Sequence, residues 1–296
     1  MNGFICLNKD GGITSFLASA KVKRITGSKK AGHTGTLDPL ATGVLPIALG
    51  GASRFINFLF QSDKHYEARF ITGIKTDTLD ITGAVIERTD KTASYEDIVE
   101  LLPRFTGDIQ QTPPMFSAIK KDGVRLYELA RKGKQIERES RVVHINEISV
   151  NIINENEFSL FVSCSPGTYI RTLISDIGDA LGCFATMTVL TRTFTDGFHL
   201  SESHTLKELE ERKIDGTLCE IIIPIEEALD FYPKVYVTVA QSERFNNGGE
   251  LFLNRLTIDG TKDYHTVFSP DGKFIGIGKT SPQKGVLEVK KVYNEL

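Results

Sequence analysis

A single carboxylate, Asp38, lies in a 27-residue run, residues 29–55, that contains no other acidic side chain. Glycines and a proline predict a loop with constrained turns around it: Gly32, Gly35, Pro39 and Gly43. The apolar residues Val44 to Leu49 then predict a buried strand, with Pro46 near its start or at a bulge. A carboxylate held in a rigid loop beside a buried strand is typical of a catalytic group, although Asp also occurs in turns simply as a capping residue.

Length and composition indicate a globular protein with one large domain and one small domain. The chain has 296 residues, of which 40% are hydrophobic, and this is enough for a sizeable core. No apolar run approaches the roughly 20 residues of a membrane span, and the N-terminus lacks the pattern of a signal peptide, so we expect a cytoplasmic protein. The four cysteines and six histidines show no metal-ligand spacing, so we expect reduced thiols and no metal site.

The charge is distributed unevenly along the chain. The formal net charge is −3 and the pI is about 6.1, which differs from the basic profile of most nucleic-acid binders. However, residues 1–60 carry seven Lys or Arg against two Asp, and residues 113–141 carry eight against four acidic side chains. Residues 201–232 reverse the balance, with three basic and nine acidic side chains. Two basic patches on an acidic body can still follow a phosphate backbone, although each alone could be a solvated face.

Local patterns predict the elements that carry these patches. The predicted elements are a strand from Phe4 to Lys9, a helix capped by Thr14 or Ser15 and ended by Gly27, a short helix from Ser53 to Phe60, a strand from Lys64 to Ile74, a hairpin turn at 76–83, a strand from Phe158 to Ser165, a helix capped by Thr168 and ended by Gly182, and an acidic helix at 205–213 with a Thr205–Glu208 capping box. Alternation in the strand from Lys64 directs Tyr66 toward the core.

Arg171 has an unfavourable position in its predicted helix. It lies in the first turn, where a cation opposes the helix dipole. This placement predicts a compensating anion, for which a carboxylate from another loop would serve; the alternative is a solvent-exposed helix residue.

The segment 111–133 predicts an RNA-binding loop. Pro113 and Pro114 favour an extended entry, and a short helix at 125–132 would carry the basic side chains Arg125, Arg131 and Lys132. Phe116 and Tyr127 are interleaved with these cations. Aromatic rings and guanidinium groups can stack on splayed bases; the alternative is that the two rings only pack the loop against the protein.

The last part of the chain, residues 233–296, predicts a small β-barrel. Its predicted strands are Lys234 to Val239, Thr266 to Ser269, Lys273 to Lys279 and Val286 to Val292, with a turn at Pro270–Gly272. This part resembles, weakly, a PUA-type RNA-binding domain.

The run around Asp38 resembles, nearly residue for residue, the signature of the bacterial tRNA pseudouridine synthases that modify the T-loop uridine, position 55. Three further blocks are similar to family blocks in the same order: KHYEARFITGIKTDTLDITG, QTPPMFSAIKKDGVRLYELARKG and CSPGTYIRTLISDIGDALGC. The resemblance implies an α+β pseudouridine synthase fold, with a mixed, largely antiparallel sheet flanked by helices. The catalytic domain would span 1–232, with a thumb-like RNA-binding insertion at about 113–141, and the PUA-like domain would span 233–296.

The resemblance also implies roles for single residues. Asp38 would be the catalytic aspartate, Tyr66 the aromatic ring under the flipped uracil, and Arg171 the partner of the aspartate. The remaining matches are His33, inserted into the disrupted T-loop; Asp80, in contact with displaced nucleotides; Leu190, against the target base; and Lys9, which supports the N-terminal motif. Four positions depart from the family pattern: Asp10, Phe116, Pro166 and Thr191. These departures put RNA affinity in doubt more than activity.

The reaction breaks the N1 glycosidic bond and joins C5 to the sugar without redox change or hydrolysis, so it requires no cofactor. The implied partner is the tRNA T-stem-loop, bound by a monomer without a guide RNA or a membrane. Two alternatives stay open at this point: an RNA chaperone that acts through binding alone, and a uridine-modifying enzyme within a guide-RNA complex.

Overall fold

The chain folds into a large mixed sheet with helices and a smaller C-terminal sheet, as seen in a computed structural model that describes residues 1–59, 63–121, 123–259 and 261–294. The strands are β1 (Gly3–Lys9), β2 (Ala31–His33), β3 (Thr42–Leu49), β4 (Lys64–Thr72), β5 (Ile74–Thr76), β6 (Val85–Arg88), β7 (Gly107–Gln111), β8 (Lys120–Lys121), β9 (Val124–Arg125), β10 (Arg141–Asn154), β11 (Glu157–Cys164), β12 (Ala185–Thr195), β13 (Phe198–His199), β14 (Lys234–Tyr236), β15 (Leu251–Phe252), β16 (Tyr264–Phe268), β17 (Phe274–Ser281) and β18 (Val286–Val292). The helices are α1 (Ser15–Thr26), α2 (Tyr95–Leu101), α3 (Leu126–Ala130), α4 (Ile170–Leu181), α5 (Leu206–Asp215), α6 (Ile225–Ala228) and α7 (Val239–Asn246).

The large sheet has the order β1-β3-β12-β4-β11-β10-β7, with β2 beside β3 and β13 beside β12. Among the described strands of this sheet, β3 and β12 run parallel and the other pairs are antiparallel. The prediction of a mixed, largely antiparallel sheet in an α+β fold is therefore confirmed.

The parallel contact between β3 and β12 depends on Gly43. Gly43 has a φ of +97°, and a Cβ atom there would lie 2.3 Å from the backbone oxygen of Arg192. A side chain at this position would push the two strands apart. This close approach fixes the position of Arg192 beside the loop that carries Asp38.

Pro46 lies in the middle of β3, so its predicted place near the strand start or at a bulge is wrong. It pairs with Cys6 of β1, and its carbonyl oxygen accepts a hydrogen bond from the Thr34 backbone N–H at 3.2 Å. The backbone groups of Pro46 thus face away from β1, because the N and O atoms of one strand residue point to the same side. The missing N–H of proline removes no bond from the β1–β3 ladder.

The predicted helices around the site form largely as expected. Thr14 caps α1, its side chain accepting from the Leu17 N–H at 3.1 Å, and Gly27 ends the helix with a φ of 65°. Gly182 ends α4 in the same left-handed conformation, and Thr205 and Glu208 form the predicted capping box of α5. Tyr66 is 8% exposed and points into the core, as the alternation of β4 predicts.

Four predicted boundaries are wrong for local reasons. Thr168 does not cap α4: Tyr169 is the N-cap, and the Thr168 hydroxyl instead donates to the Ser165 carbonyl at 2.9 Å. The strand from Lys64 ends at Thr72, because Gly73 has a φ of 92°. The predicted helix from Ser53 is two 3₁₀ turns, Gly50–Arg54 and Ile56–Phe58, and its predicted end at Phe60 lies outside the described residues. The strand from Lys234 ends at Tyr236, because a Thr238–Gln241 capping box starts α7 at Val239.

Among the described residues, the C-terminal sheet has the order β14-β16-β17-β18-β15 and is open, where a small β-barrel was predicted. Its likeness to a PUA domain stays a prediction. An apolar cluster joins this sheet to the large one, and Phe55 lies at its centre: the Phe55 ring centroid is 5.5 Å from that of Phe274 and 6.1 Å from that of Tyr293. The two sheets thus share a core and are not joined by a loose linker.

The Phe55→Ala variant tests this shared core. Phe55 is fully buried, so truncation should lower the free energy of unfolding by about 3–5 kcal/mol, through lost burial and a residual cavity. Urea unfolding followed by circular dichroism measures the loss. Phe16→Ala is the matched control, because Phe16 is 79% exposed and its loss should change stability by no more than about 0.5 kcal/mol. Two separate unfolding transitions, of which only one responds to Phe55→Ala, would contradict a shared core.

Candidate active site

A cavity of about 240 Å³ opens beside the Asp38 loop. Three elements contribute most of its chemically active side chains: the loop before β3, strand β4 and the start of α4. The lining residues are Thr36, Leu37, Asp38, Lys64, Tyr66, Ser117, Ala118, Gly167, Thr168, Tyr169, Ile170, Arg171, Leu190 and Arg192.

The Asp38 loop is held in place on both sides of the carboxylate. The Ser15 hydroxyl of α1 donates to the Leu37 carbonyl at 2.9 Å and accepts from the Leu37 N–H at 2.8 Å. Lys9 is fully buried, and its ammonium group donates to the carbonyls of Asp10 and Ile13 at 2.8 Å each and of Pro39 at 3.3 Å. Residues 37 and 39 are therefore anchored, and the Asp38 side chain between them has a defined direction.

Arg171 pairs with Asp38, as the family resemblance implies, and this carboxylate is the compensating anion that the first-turn argument predicts. The Arg171 Nε atom lies 2.9 Å from the Asp38 Oδ2 atom, and Arg171 is only 3% exposed, so it is not a surface residue of α4. Its two terminal nitrogens donate to the carbonyls of Thr78 at 2.8 Å and Phe116 at 2.9 Å. The guanidinium group thus connects the Asp38 loop, the 76–83 turn and the insertion through charge-assisted hydrogen bonds.

Asp80 lies on the other side of the same guanidinium group. It is 5% exposed, and its Oδ2 atom is 3.7 Å from the Arg171 Nη1 atom. Its Oδ1 atom accepts from the Thr78 hydroxyl at 2.9 Å and from the Thr82 backbone N–H at 3.0 Å. The turn therefore fixes Asp80 as a second carboxylate beside Arg171, and its expected contact with displaced nucleotides stays a prediction.

The groups around Asp38 shift the pKa of its carboxyl group in opposite directions. Burial raises the pKa of the Asp38 carboxyl group, and the charge of Arg171 opposes this rise. The neighbouring Asp80 adds to the rise, while Lys9 adds to the opposition. The ionised form of Asp38 thus depends strongly on Arg171.

Tyr66 and Arg192 lie opposite each other on neighbouring strands β4 and β12. Burial raises the pKa of the Tyr66 hydroxyl, and the positive charge of Arg192 opposes this rise. Arg192 is 1% exposed and donates to the carbonyls of Val44 at 2.9 Å and Gly35 at 3.1 Å. A fixed cation thus faces the phenol at the inner end of the cavity.

His33 and Leu190 occupy two further positions around the loop. The His33 ring lies between hydroxyl groups: its Nδ1 atom is 3.1 Å from the Ser19 Oγ atom, and its Nε2 atom is 3.3 Å from the Thr36 Oγ1 atom. Burial, and secondarily Arg192, lower the pKa of His33, which favours the uncharged ring. Leu190 is 6% exposed and forms part of the cavity wall.

The basic residues of the insertion lie apart from the cavity, on an exposed surface. Arg125, Arg131 and Lys132 are all exposed. The guanidinium carbons of Arg125 and Arg131 are 5.9 Å and 5.5 Å from the centre of the Tyr127 ring. Two cations stacked near one aromatic ring form a compact surface that suits phosphates and unpaired bases.

The sequence analysis missed Arg192 and Lys64 as cavity residues. Arg192 is a fully buried arginine in a strand, and its contacts come from residues about 150 positions away, Val44 and Gly35. The signal for Lys64 was present, since it lies two positions before Tyr66 and so on the same face of β4. Three of the four departures are compatible with this geometry. The backbone carbonyls of Asp10 and Phe116 accept hydrogen bonds that any residue at those positions could accept, and the hydroxyl oxygens of Thr191 and Thr42 are 2.9 Å apart.

Among the described residues, no helix is both long and apolar enough to span a membrane. All four cysteines are free, and Cys6, Cys164 and Cys183 are buried.

Comparison with known proteins is consistent along the chain. Residues 23–170 match the family described as TruB family pseudouridylate synthase, N-terminal domain, and residues 171–230 match the tRNA pseudouridylate synthase B C-terminal domain. A tRNA pseudouridine synthase B from Clostridium tetani is 43% identical, covering 96% of this chain and 97% of that protein. One from Pseudomonas putida is 46% identical, covering 95% and 92%.

Two solved structures contain chains that are similar to this one over nearly its whole length. A Cbf5-Nop10-Gar1 complex contains a chain that is 29% identical with a TM-score of 0.75, covering 98% of this chain and 84% of that one. An H/ACA RNP bound to a substrate RNA containing 2′-deoxyuridine gives 26% identity, a TM-score of 0.74, and coverage of 99% and 85%. With both family matches and near-complete curated relatives in agreement, this chain belongs to the TruB family of tRNA pseudouridine synthases.

Proposed function

We propose that this chain isomerises the T-loop uridine of tRNA, position 55, to pseudouridine by flipping the base into the cavity beside Asp38. The main support for this proposal is the ion pair between Asp38 and Arg171, whose Oδ2 and Nε atoms are 2.9 Å apart at the wall of a cavity of about 240 Å³. The residues of such a cavity cannot contact a base that is stacked inside a duplex. A loop nucleotide can leave its stack at a cost of only a few kcal/mol.

The chemistry requires an ionised carboxylate. Breaking the bond between N1 and C1′ leaves its electron pair on the uracil, which then rotates so that C5 bonds to C1′. The C5 proton is released and N1 takes up a proton, so the product is an isomer of uridine. The Asp38 carboxylate either attacks C1′ or takes a proton from the sugar, and both routes need its negative charge. Arg171 preserves that charge against burial and holds the carboxylate in one orientation.

Tyr66 and Leu190 would bind the base in the cavity, with the Tyr66 ring stacked on the uracil. The Tyr66 hydroxyl is our candidate for moving the C5 proton, and Arg192 would ease its ionisation, because burial alone opposes a phenolate. His33 would fill the space that the flipped base leaves in the T-loop. Its ring is half-buried, and burial together with the positive charge of Arg192 lowers the pKa of His33 and favours the uncharged form, which suits insertion between bases.

Affinity would come mainly from the exposed insertion and the C-terminal sheet. Arg125, Arg131 and Lys132 would contact phosphates, and residues 233–296 would act as a PUA-like RNA-binding domain. We propose that the protein acts as a cytoplasmic monomer without a guide RNA. Turnover on bare T-stem-loop RNA, followed as tritium release from C5-labelled uridine, tests this against a pure chaperone and against a guide-dependent enzyme, neither of which would release tritium from that RNA.

Asp38→Asn should abolish tritium release while tRNA affinity stays within about tenfold, because the carboxylate performs the chemistry and the basic surfaces supply the binding. Filter binding and single-turnover assays on the same tRNA measure the two properties. Near wild-type turnover would remove Asp38 from the catalytic role. A loss of binding as large as the loss of turnover would indicate a structural role instead.

Arg171→Ala should lower turnover by about a hundredfold or more, equivalent to about 2.7 kcal/mol, with little change in RNA affinity. Because Arg171 opposes the upward shift of the Asp38 pKa, its loss should raise that pKa further. The acid limb of the pH–rate profile should therefore move to higher pH.

Arg171→Lys should recover only part of the rate, since an ammonium group cannot reproduce the planar donor set to Asp38, Thr78 and Phe116. Arg212→Ala on α5 is the matched control for loss of one arginine and should leave the profile unchanged. An unmoved acid limb in Arg171→Ala would contradict the electrostatic role.

Charge reversal of Arg125, Arg131 and Lys132 to Glu should weaken tRNA binding and flatten its salt dependence, by slightly less than one unit of slope for each lost phosphate contact. The same reversal of Lys207, Arg212 and Lys213 on the acidic helix α5 is the matched control, because it changes the net charge equally. If both triple variants have the wild-type slope, the insertion does not contact phosphates.

A further inference from the structure

Lys64 is a cavity residue that none of the steps above uses. It lies on β4 two positions before Tyr66, so both side chains project from the same face of the strand. Lys64 is half-buried whereas Tyr66 is buried, which puts the ammonium group nearer the opening of the cavity. An anion that enters beside the base would meet Lys64 before it reached Tyr66.

The Lys64 ammonium group lacks a partner within the part of the chain that the structure describes: it forms neither an ion pair nor a hydrogen bond there. Burial and the charge of Arg192 lower its pKa, and Asp196 opposes this only from a distance. The Asp196 carboxylate is instead bound by the Thr34 hydroxyl at 2.7 Å. A partly buried cation without a counter-ion is unfavourable, and a bound anion would relieve this cost and favour the protonated form.

Gly35 shows where such an anion would bind. A Cβ atom built on Gly35 would lie 3.2 Å from the Lys64 Nζ atom and 3.6 Å from the Arg192 Nη1 atom. The two cationic groups therefore converge on one small region, and the absence of a side chain at position 35 leaves room for both of them. Convergent donors of this kind are suited to a group with several oxygen atoms.

The charges of the cavity favour an anionic ligand. Lys64, Arg171 and Arg192 line it against one carboxylate, Asp38, and Arg171 is already shared between Asp38 and Asp80. Lys64 and Arg192 thus have no carboxylate of their own among the residues that line the cavity. A nucleotide extruded into this cavity carries a phosphate group on its ribose, and phosphates are the principal anionic groups of RNA.

We propose that Lys64, with Arg192 behind it, forms an anion subsite that binds the phosphate group of the extruded nucleotide. Lys64 is then a substrate-binding residue that holds the extruded nucleotide in the cavity. The proposal rests on the proposed function. A second anionic source in the same nucleotide is the uracil itself, on which negative charge develops as the bond between N1 and C1′ breaks, and the experiment separates the two.

The test compares Lys64→Gln and Lys64→Arg with wild type on the T-stem-loop RNA. Lys64→Gln should raise Kd and KM by about tenfold or more and flatten the salt dependence of binding by about 0.7–0.9 units of slope, with kcat nearly unchanged. Lys64→Arg should restore the slope, because it restores the charge. Lys207→Gln on α5 is the matched control for loss of one lysine and should leave Kd, slope and kcat as they are.

Gly35→Ala is a second variant that keeps every charge. Its methyl group should displace the Lys64 ammonium group and raise Kd in the same direction as Lys64→Gln. A fall in kcat for Lys64→Gln with an unchanged Kd and slope would overturn the phosphate assignment in favour of the departing base. Wild-type Kd, slope and kcat in Lys64→Gln would overturn the subsite altogether. Failure of the proposed function would appear differently, as a wild-type protein that releases no tritium from the RNA.

Discussion

The guanidinium group of Arg171 is the contact on which the site depends. It meets Asp38 of the loop before β3, Asp80 and Thr78 of the hairpin turn, and Phe116 of the insertion. These segments are far apart in sequence. Because a buried arginine must satisfy its donors, the position of one side chain determines how the three segments come together. The same contact opposes the rise in the Asp38 pKa that burial causes, so the side chain that assembles the site also acts on the charge of Asp38.

Part of this arrangement could be predicted from local chemistry. A cation in the first turn of α4 required an anion from another loop, but the residues alone left that anion unidentified, and only the resemblance to the pseudouridine synthases named Asp38. The direction of the Asp80 side chain could not be predicted in the same way. Its direction depends on bonds from Thr78 and Thr82 within the turn, and on Leu79, which adopts a φ of 64°. Sequence patterns do not report such a conformation for leucine.

Errors in the fold had equally specific causes. Pro46 was misplaced because the rule for proline in strands considers a missing N–H, while the structure turns that position away from β1. Helix α7 was overlooked even though its Thr238–Gln241 capping box is readable in the sequence, because the valines at 235, 237 and 239 suggested alternation. The role of Arg192 depends on the order of strands in the sheet, and long-range pairing of that kind leaves no local signal.

Strands β1 and β3 bury both of their faces, and this has a consequence for how the chain can change. Ile5, Leu7, Leu45, Ile47 and Leu49 pack in the core of the large sheet, while Phe4, Cys6, Val44 and Ala48 pack in the cluster that reaches the C-terminal sheet. The two halves are therefore not interchangeable modules. A recombined protein that acquired a different C-terminal domain would need matching changes in the strands that flank the Asp38 loop. Substitutions in the C-terminal half are thus constrained by the same strands that flank the Asp38 loop.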